Sequence, residues 1–177
     1  MIVSETPLAQ SFIIEPKVFG DSRGYFFESF NQNLFFQKTG VDINFIQDNE
    51  AYSNRGVLRG LHFQKKEHAQ AKLVRVVTGK VLDVIVDLRK NSKTYGKTFS
   101  IILSGENKKQ LFVPRGFAHG YVVLEDNTIF SYKCDNYYFP KSEGGIIYND
   151  PTLNIDWMLD KNEILVSEKD KNLGKFL

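Results

Sequence analysis

Apolar and polar residues alternate along much of this chain, and a period of two is the spacing of a β-strand with one buried face. The clearest segments are 72–77 and 81–88, which are separated by a turn at Gly79. Further pairs of alternating segments, each with a short polar turn between them, lie at 99–103 with 110–113 and at 120–124 with 129–134. We therefore predict three β-hairpins, with Gly79 at a positive φ in the first turn. Short strands at this even spacing favour a sandwich or barrel, and a jelly roll is among the closures that fit.

Helical signals are few, and both are short. Residues 31–38 can form a helix that is capped by Ser29 or Asn31 and ends near Gly40. Residues 167–172 can form a second helix. The sequence therefore predicts a mainly β protein with a few short helices.

Composition and charge exclude several classes of protein. The composition does not shift along the chain and no linker interrupts it, so we predict one domain over residues 1–177. A formal net charge of +2 gives no support for nucleic-acid binding. The apolar runs are too short to cross a bilayer, and residues 1–5 lack the features of a signal peptide. Cys134 is the single cysteine and cannot form an internal disulfide, which predicts a cytoplasmic location.

A strand-like segment flanked by glycines holds the first candidate functional pair. The segment 56–64 contains Arg59 and His62, which are three residues apart. In an extended strand these side chains point to opposite faces, so they can share a pocket only if Gly60 bends or bulges the strand. An imidazole beside a cation suits proton transfer on an anionic substrate. The alternative is a surface arginine and a histidine buried in the core.

The segment 114–120 places His119 in a Pro-x-Gly-x-x-His pattern, which resembles the second motif of the cupin superfamily of small β-barrels. Cupins often hold a metal on several histidines and a glutamate. The first cupin motif requires His-x-His, whereas His62 is followed by Gln64, and the next histidine is His68, beyond a turn-like charged segment. A metal needs three or four converging ligands. We therefore predict a cupin-type barrel without a metal.

Two residues in the last third of the chain are further candidates, and each has a structural alternative. Tyr132 lies on the last predicted strand, where it either packs against the barrel wall or serves as a general acid beside a cation. Asp170 is either a solvated surface charge or a carboxylate that folds back to orient a catalytic imidazole. Cys134 has no cysteine or histidine neighbour in the sequence, which predicts a small buried apolar residue.

Nine segments, in the same order, resemble the dTDP-4-dehydrorhamnose 3,5-epimerase family of nucleotide-sugar epimerases, and they extend over nearly the whole chain. They are Phe19–Glu28, Gln47–Asn49, Gly56–Gln64, Gln70–Arg75, Asp83–Arg89, Pro114–Gly120, Tyr132–Cys134, Asn149–Pro151 and Ser167–Asp170. No single segment is diagnostic, but the ordered set is very specific. The resemblance implies a jelly-roll barrel without a metal or other cofactor. It also implies a homodimer in which N-terminal strands add to the sheet of the neighbour.

The resemblance implies a role for each matching residue. His62 would remove a proton beside the C4 ketone of the sugar, and Asp170 would orient His62 and balance its charge. Tyr132 would return a proton from the opposite face, and Lys72 would stabilise the enolate oxygen at C4. The residues implied to bind the nucleotide sugar are Arg23 and Glu28, which reach the nucleotide across the dimer, Arg59 and His119, which line the sugar and phosphate pocket, and Gln47, Asn49 and Tyr138.

The implied activity is inversion of C3 and C5 in a nucleotide-linked 4-keto-6-deoxy sugar of the dTDP-4-dehydro-6-deoxy-glucose type. Trp157-Met158 and residues 65–68 depart from the family pattern, and they leave the substrate open. An epimerase of another nucleotide 4-keto sugar, such as a GDP-4-keto-heptose, and a C3-only epimerase would share the same catalytic residues. Two alternatives of other classes are a metal-dependent cupin oxygenase or isomerase and a sugar-binding module without catalysis.

Overall fold

The computed structural model describes residues 1–176, which form two large β-sheets, a two-stranded ribbon and two short helices. The strands are β1 (Ile2–Glu5), β2 (Phe12–Glu15), β3 (Val18–Asp21), β4 (Gly24–Phe27), β5 (Gln47–Ser53), β6 (Val57–Gln64), β7 (Lys72–Thr78), β8 (Lys80–Asp87), β9 (Thr98–Ser104), β10 (Gln110–Val113), β11 (Phe117–Val123), β12 (Thr128–Cys134), β13 (Glu143–Gly145) and β14 (Leu165–Val166). The helices are α1 (Gln32–Thr39) and α2 (Glu168–Lys171), and 3₁₀ turns span Lys66–His68 and Pro140–Ser142. The prediction of one domain over residues 1–177 stays a prediction, and Leu177 lies outside the described residues.

The two large sheets face each other across an apolar interior. Sheet I has the strand order β1-β2-β10-β7-β12-β5, and sheet II has the order β13-β6-β11-β8-β9, with β14 parallel to β6. From β5 to β8 and from β9 to β13, successive strands alternate between the sheets. Buried side chains from both sheets, including Val74, Ile85 and Phe130, fill the space between them. This wrapping is that of a jelly roll, so the predicted mainly β, cupin-type fold is confirmed.

The three predicted hairpins are wrong, because each of their turns carries the chain from one sheet to the other. Within residues 1–176, β7 does not pair with β8, β9 does not pair with β10, and β11 does not pair with β12. Gly79 does have a positive φ of 80°, but it lies at a corner where a Cβ atom would collide with Thr128. The Gly105 N–H donates to the Gly79 carbonyl at 3.0 Å, which ties two of these corners together.

The burial of β8 explains why the chain crosses between sheets at this point. Residues 81–87 are all buried. Val81 and Ile85 face the space between the sheets, whereas Leu82 and Val84 pack into a second apolar cluster with Trp157 from the C-terminal part of the chain. A strand with apolar side chains on both faces is best placed in the middle of a sheet that is covered on both sides. Accordingly, β8 lies between β11 and β9.

Both predicted helices are present, with ends that differ by about one residue from the prediction. The side chain of Asn31 caps α1 by accepting a hydrogen bond from the Leu34 N–H at 3.0 Å, and Gly40 ends it in the left-handed region with a φ of 70°. The Ser167 hydroxyl caps α2 by accepting from the N–H of Asp170 at 3.1 Å. The cap of α2 therefore fixes the backbone of the residue whose carboxylate faces β6.

A bulge in β6 brings Arg59 and His62 to the same side of sheet II. His62 is the Cα partner of His119, and Arg59 is the partner of Tyr121, so β6 uses three residue steps where β11 uses two. Gly60 has a φ of 137°, and a Cβ atom on it would lie 2.5 Å from the Gly120 Cα. The sequence analysis required a bend or bulge at Gly60 if the two side chains were to share a pocket. The structure has this bulge.

Candidate active site

A cavity of about 570 Å³ opens between the two sheets, within the size range of small-ligand sites. Sheet I forms one wall of the cavity, sheet II forms the other, and a short C-terminal segment closes one side. The lining residues are Ala51, Lys72 and Tyr132 from sheet I, Val57, Leu58, Arg59, His62, His119 and Tyr121 from sheet II, and Leu165, Val166, Ser167, Lys169 and Asp170 from β14 and α2. The structure therefore brings together six of the predicted site residues, which are His62, Lys72, Tyr132, Asp170, Arg59 and His119.

The Asp170 carboxylate holds the His62 ring at the edge of the cavity. His62 Nε2 lies 2.8 Å from Asp170 Oδ1, and the Gly60 N–H donates to Asp170 Oδ2 at 3.2 Å. Because an ionised carboxylate only accepts hydrogen bonds, Nε2 carries the proton in this pair, and a neutral His62 ring has Nδ1 free to accept another. The side chain of Asp170 is 6% exposed, whereas that of His62 is 30% exposed. An anchored imidazole with one free nitrogen at the cavity can act as a general base.

Lys72 and Tyr132 lie next to each other on the facing wall, in sheet I. Tyr132 is the Cα partner of Val74 and Lys72 is the partner of Cys134, so both side chains emerge on the same face. Lys72 Nζ lies 5.6 Å from the centre of the Tyr132 ring. Burial lowers the pKa of the Lys72 ammonium and raises the pKa of the Tyr132 hydroxyl. The phenol is therefore protonated near neutral pH, as a proton donor must be.

Arg59 and His119 line the wall formed by sheet II, and two of their neighbours were not predicted. His119 Nε2 lies 2.9 Å from Oδ2 of the fully buried Asp83. Tyr121 stacks on Phe130, with ring centroids 4.0 Å apart, and burial raises the pKa of its hydroxyl. Asp83 could have been recognised from the sequence as a candidate site residue, because it is a single acid among apolar residues of a strand, and a buried charge needs a partner.

A chain of hydrogen bonds links β5, β13 and α2 and includes Lys169, which lines the cavity. The Tyr138 hydroxyl donates to Glu143 Oε2 at 2.6 Å, and Lys169 Nζ donates to Glu143 Oε1 at 2.6 Å. The Gln47 side-chain oxygen accepts from the Tyr138 N–H at 3.1 Å, and its amide donates to Asn49 Oδ1 at 3.1 Å. Burial raises the pKa of Glu143, but the bonds from Lys169 and Tyr138 outweigh it and lower the pKa overall. Gln47, Asn49 and Tyr138 are therefore joined to one another and, through Glu143, to Lys169. The sequence did not indicate Glu143 or Lys169 as part of this group.

Arg23 and Glu28, in contrast, lie away from the cavity. Arg23 is in the turn of the β3–β4 ribbon, pairs with Asp21 at 2.5 Å, and has a side chain that is 88% exposed. Glu28 follows β4 and accepts a hydrogen bond from the Asn31 amide at 3.2 Å. Several large apolar side chains of the ribbon are exposed, among them Phe19, Tyr25 and Phe26. Within one chain, the structure does not bring Arg23 or Glu28 to the other site residues.

The remaining candidates do not form a metal centre. His68 lies in a 3₁₀ turn and stacks on Phe139, with ring centroids 4.2 Å apart. Among residues 1–176, no three side chains of the types His, Cys, Asp and Glu converge as metal ligands.

Cys134 is buried, as predicted, and burial raises the pKa of its thiol to about 11. Neither helix in the described part of the chain has the length and apolar character to cross a membrane.

Comparison with known proteins places the chain in one family. The family model described as dTDP-4-dehydrorhamnose 3,5-epimerase matches residues 5–177. The dTDP-4-dehydrorhamnose 3,5-epimerase of Shigella flexneri is 50% identical over 177 residues, which are 100% of this chain and 97% of that protein.

Two solved structures of such enzymes have the same fold over almost their whole length. The crystal structure of dTDP-4-dehydrorhamnose 3,5-epimerase from Elizabethkingia anophelis has a TM-score of 0.96 and 53% identity, and the match covers 99% of this chain and 96% of that one. The dTDP-6-deoxy-D-glucose-3,5-epimerase of Legionella pneumophila, solved in complex with dTDP-4-keto-L-rhamnose, has a TM-score of 0.94 and 46% identity, with coverage of 98% and 92%. This chain therefore belongs to the dTDP-4-dehydrorhamnose 3,5-epimerase family.

Proposed function

We propose that this protein is an isomerase that inverts C3 and C5 of a dTDP-linked 4-keto-6-deoxy sugar. One observation carries the proposal: an imidazole anchored by a carboxylate, His62 with Asp170 at 2.8 Å, lines the same cavity as Lys72 and Tyr132 from the opposite sheet. A base, a cation and a protonated phenol around one cavity are what epimerisation beside a ketone requires. The Legionella relative contains dTDP-4-keto-L-rhamnose, which supports this class of nucleotide sugar.

The first half of the reaction is removal of a proton from the carbon next to the C4 ketone. His62 Nδ1 accepts this proton, and the electron pair of the C–H bond moves into the ring to give an enolate with its charge on the C4 oxygen. Asp170 stabilises the imidazolium that forms. The Lys72 ammonium, which lines the same cavity, stabilises the enolate oxygen, and this interaction strengthens as the charge develops.

The second half is return of a proton from the other face of the sugar. Tyr132 and His62 come from opposite sheets, so a sugar between them has the base on one face and the phenol on the other. The Tyr132 hydroxyl gives its proton to the carbon as the enolate collapses to the ketone, and the configuration inverts. Solvent then returns a proton to Tyr132 and takes one from the His62 imidazolium. The same groups serve C3 and C5, because both carbons neighbour C4.

In this proposal the nucleotide diphosphate is bound by residues of the cavity wall and by a second, hydrogen-bonded group of residues. Arg59 has a guanidinium suited to a phosphate, and His119 lies beside it on β11. Gln47, Asn49 and Tyr138, which are hydrogen-bonded to one another, contact the nucleotide part of the substrate in this proposal. No cofactor takes part in this proposal, which needs neither redox nor metal chemistry. The lone Cys134 supports a cytoplasmic location.

A homodimer would complete the nucleotide site. The exposed aromatic residues of the β3–β4 ribbon form an apolar surface of the kind that a second chain covers. β1 and β2 pair within the sheet of their own chain, so the ribbon is the N-terminal element available to the neighbour. Arg23 and Glu28 on or beside this ribbon would then reach the cavity of the partner.

Mixing of two inactive variants tests the shared site. In a hybrid dimer of His62→Gln and Arg23→Ala chains, one of the two sites has both native residues. We expect co-expression to restore about one quarter of the wild-type activity at low substrate concentration, since about half of randomly paired dimers are hybrids. Activity that never exceeds that of the separate variants, in a preparation shown to contain hybrids, contradicts a site shared between chains.

Hydrogen exchange in heavy water tests the proposed activity directly. The protein is incubated in D₂O with dTDP-4-dehydro-6-deoxy-D-glucose, and proton NMR follows the signals at C3 and C5. We expect deuterium at both carbons together with inversion at both. Exchange and inversion at C3 alone would indicate a C3-only epimerase, and faster turnover of a GDP-linked 4-keto sugar in a parallel assay would reassign the substrate. No exchange with any of these sugars refutes the proposal.

The pH dependence of turnover should report the charge of Lys72. Burial lowers the pKa of this ammonium below its ordinary value, so the charged form is present at low pH and is lost as the pH rises through the lowered pKa. We therefore expect kcat to fall at alkaline pH, and to begin falling at a lower pH than the ordinary pKa of a lysine would give. In Lys72→Arg the cation has a different shape and position, so kcat should be about 10²-fold lower. Because the guanidinium stays charged, the alkaline fall of kcat should be absent from this variant. An identical alkaline fall in both proteins would assign it to another group.

A further inference from the structure

A second histidine–aspartate pair lies in the wall of the cavity, apart from His62 and Asp170. His119 Nε2 lies 2.9 Å from Asp83 Oδ2, and the two side chains are 7% and 0% exposed. Since the carboxylate accepts, the His119 Nε2 carries the proton and donates it to this bond. The ring nitrogen that remains for a ligand in the cavity is Nδ1.

Asp83 occupies an unfavourable position for a charge. It lies between Val81 and Ile85 in the row of β8 side chains that faces the apolar space between the sheets. Its second oxygen, Oδ1, is buried and has no hydrogen-bond partner within residues 1–176. A buried carboxylate oxygen without a partner opposes folding, whereas an apolar side chain of similar size would not. Packing therefore gives no reason for an aspartate here.

Asp87, four residues further along the same strand, shows the surroundings of a carboxylate that stabilises the fold. It is also fully buried, but its oxygens accept hydrogen bonds from the Arg89 guanidinium and from the hydroxyls of Ser92 and Thr94. Burial alone raises the pKa of Asp87, but these bonds together outweigh burial and hold the pKa well below its usual range. Asp83 has one such bond, and that bond goes to a histidine of the cavity.

We infer that Asp83 is a positioning residue of the epimerase, which fixes the His119 ring with Nε2–H directed into the wall and Nδ1 directed to the substrate. This inference rests on the proposed function, because it assigns a substrate contact to His119. His119 is the direct Cα partner of His62 on the neighbouring strand, so its orientation acts on the same bound sugar. The rings of Tyr121 and Phe130 flank His119 at centroid distances of 6.3 and 6.1 Å and restrict its position. Among residues 1–176, Asp83 is the one side chain whose hydrogen bond fixes which nitrogen of His119 holds the proton.

The variants Asp83→Asn and Asp87→Asn form a matched pair, since both replace a fully buried aspartate on β8. An amide at position 83 can donate to Nε2 as well as accept from it, so the proton of His119 is no longer fixed. We expect kcat of Asp83→Asn to fall about 10- to 100-fold with an unchanged or higher midpoint of thermal unfolding. Asp87→Asn should show the reverse, with a lower midpoint and unchanged kcat for the folded protein. Loss of stability with unchanged kcat in Asp83→Asn would overturn the inference.

Two further measurements separate positioning from a general structural effect. In a His119→Gln background, Asp83→Asn should cause no additional loss of kcat, because Asp83 acts through His119; an additive loss contradicts this. Nitrogen-15 NMR of the three histidine rings, assigned with the His119→Gln variant, reports the protonated nitrogen without any substrate. We expect Nε2–H for His119 in the wild type and a changed proton position in Asp83→Asn, and an unchanged spectrum refutes the inference. Absence of turnover in the wild type would refute the proposed function, while the spectra would still decide the role of Asp83.

Discussion

His62→Gln should lower the rate of epimerisation about 10²- to 10⁴-fold, because it removes the base that starts the reaction. Glutamine keeps a hydrogen-bonding side chain of similar reach next to Asp170 but cannot accept a proton at neutral pH. Deuterium incorporation from D₂O at C3 and C5 should fall by the same factor as product formation, since both depend on proton removal. Proton NMR of the nucleotide sugar measures the two rates in one sample.

His68→Gln is the matched control for this variant. His68 stacks on Phe139 in a 3₁₀ turn and does not line the cavity, so its replacement should leave the rate within about twofold of the wild type. Unchanged exchange in His62→Gln would show that another group removes the proton. A loss of folded protein is a separate outcome, and circular dichroism of both variants detects it.

Tyr132→Phe should separate exchange from inversion. The hydroxyl that returns the proton is absent, whereas His62 and Lys72 still generate the enolate. We expect formation of inverted product to fall about 10²- to 10⁴-fold, while deuterium enters with retained configuration, because His62 can return a deuteron to the face from which it took the proton. Burial raises the pKa of the wild-type Tyr132 hydroxyl, so the phenol should remain a donor through the neutral range and the contrast should not depend on pH there.

Tyr52→Phe is a suitable control, since the exposed Tyr52 hydroxyl bonds to Asn127 at 2.6 Å and lies outside the cavity lining. It should leave both exchange and inversion unchanged. If Tyr132→Phe inverts the sugar at the wild-type rate, Tyr132 is part of the wall and not the acid. Equal loss of exchange and of inversion would instead place Tyr132 in the first half of the reaction.

The local features of this site could be predicted from sequence because they depend on short segments. The bulge in β6 follows from Gly60, the one residue type that accepts a φ of 137° with the Gly120 backbone at contact distance. The cap of α2 follows from a serine before charged residues, with Ser167 bonded to the N–H of Asp170. The contact of Asp170 with His62 joins residues 108 apart, and the resemblance rather than the spacing indicated it.

The pairing of strands could not be predicted in the same way. A glycine turn such as that at Gly79 permits a hairpin and equally permits a corner between two sheets, so the turn chemistry does not decide between them. The decision depends on the burial of the second face of β8, where Leu82 and Val84 pack against Trp157, which is distant in sequence. Asp83 and Glu143 were missed for a related reason. Their functions depend on contacts with residues distant in sequence, His119 for Asp83 and Lys169 for Glu143.

The Tyr121–Phe130 stack has a consequence for which sugars the cavity can accept. Phe130 belongs to β12 and Tyr121 to β11, so these two rings, with centroids 4.0 Å apart, span the gap between the sheet that holds the acid and the sheet that holds the base. The stack therefore connects the two walls of the cavity through the core. A smaller side chain at position 130 should therefore alter which sugars can be inverted, because the Phe130 ring also lies beside His119 and Tyr132.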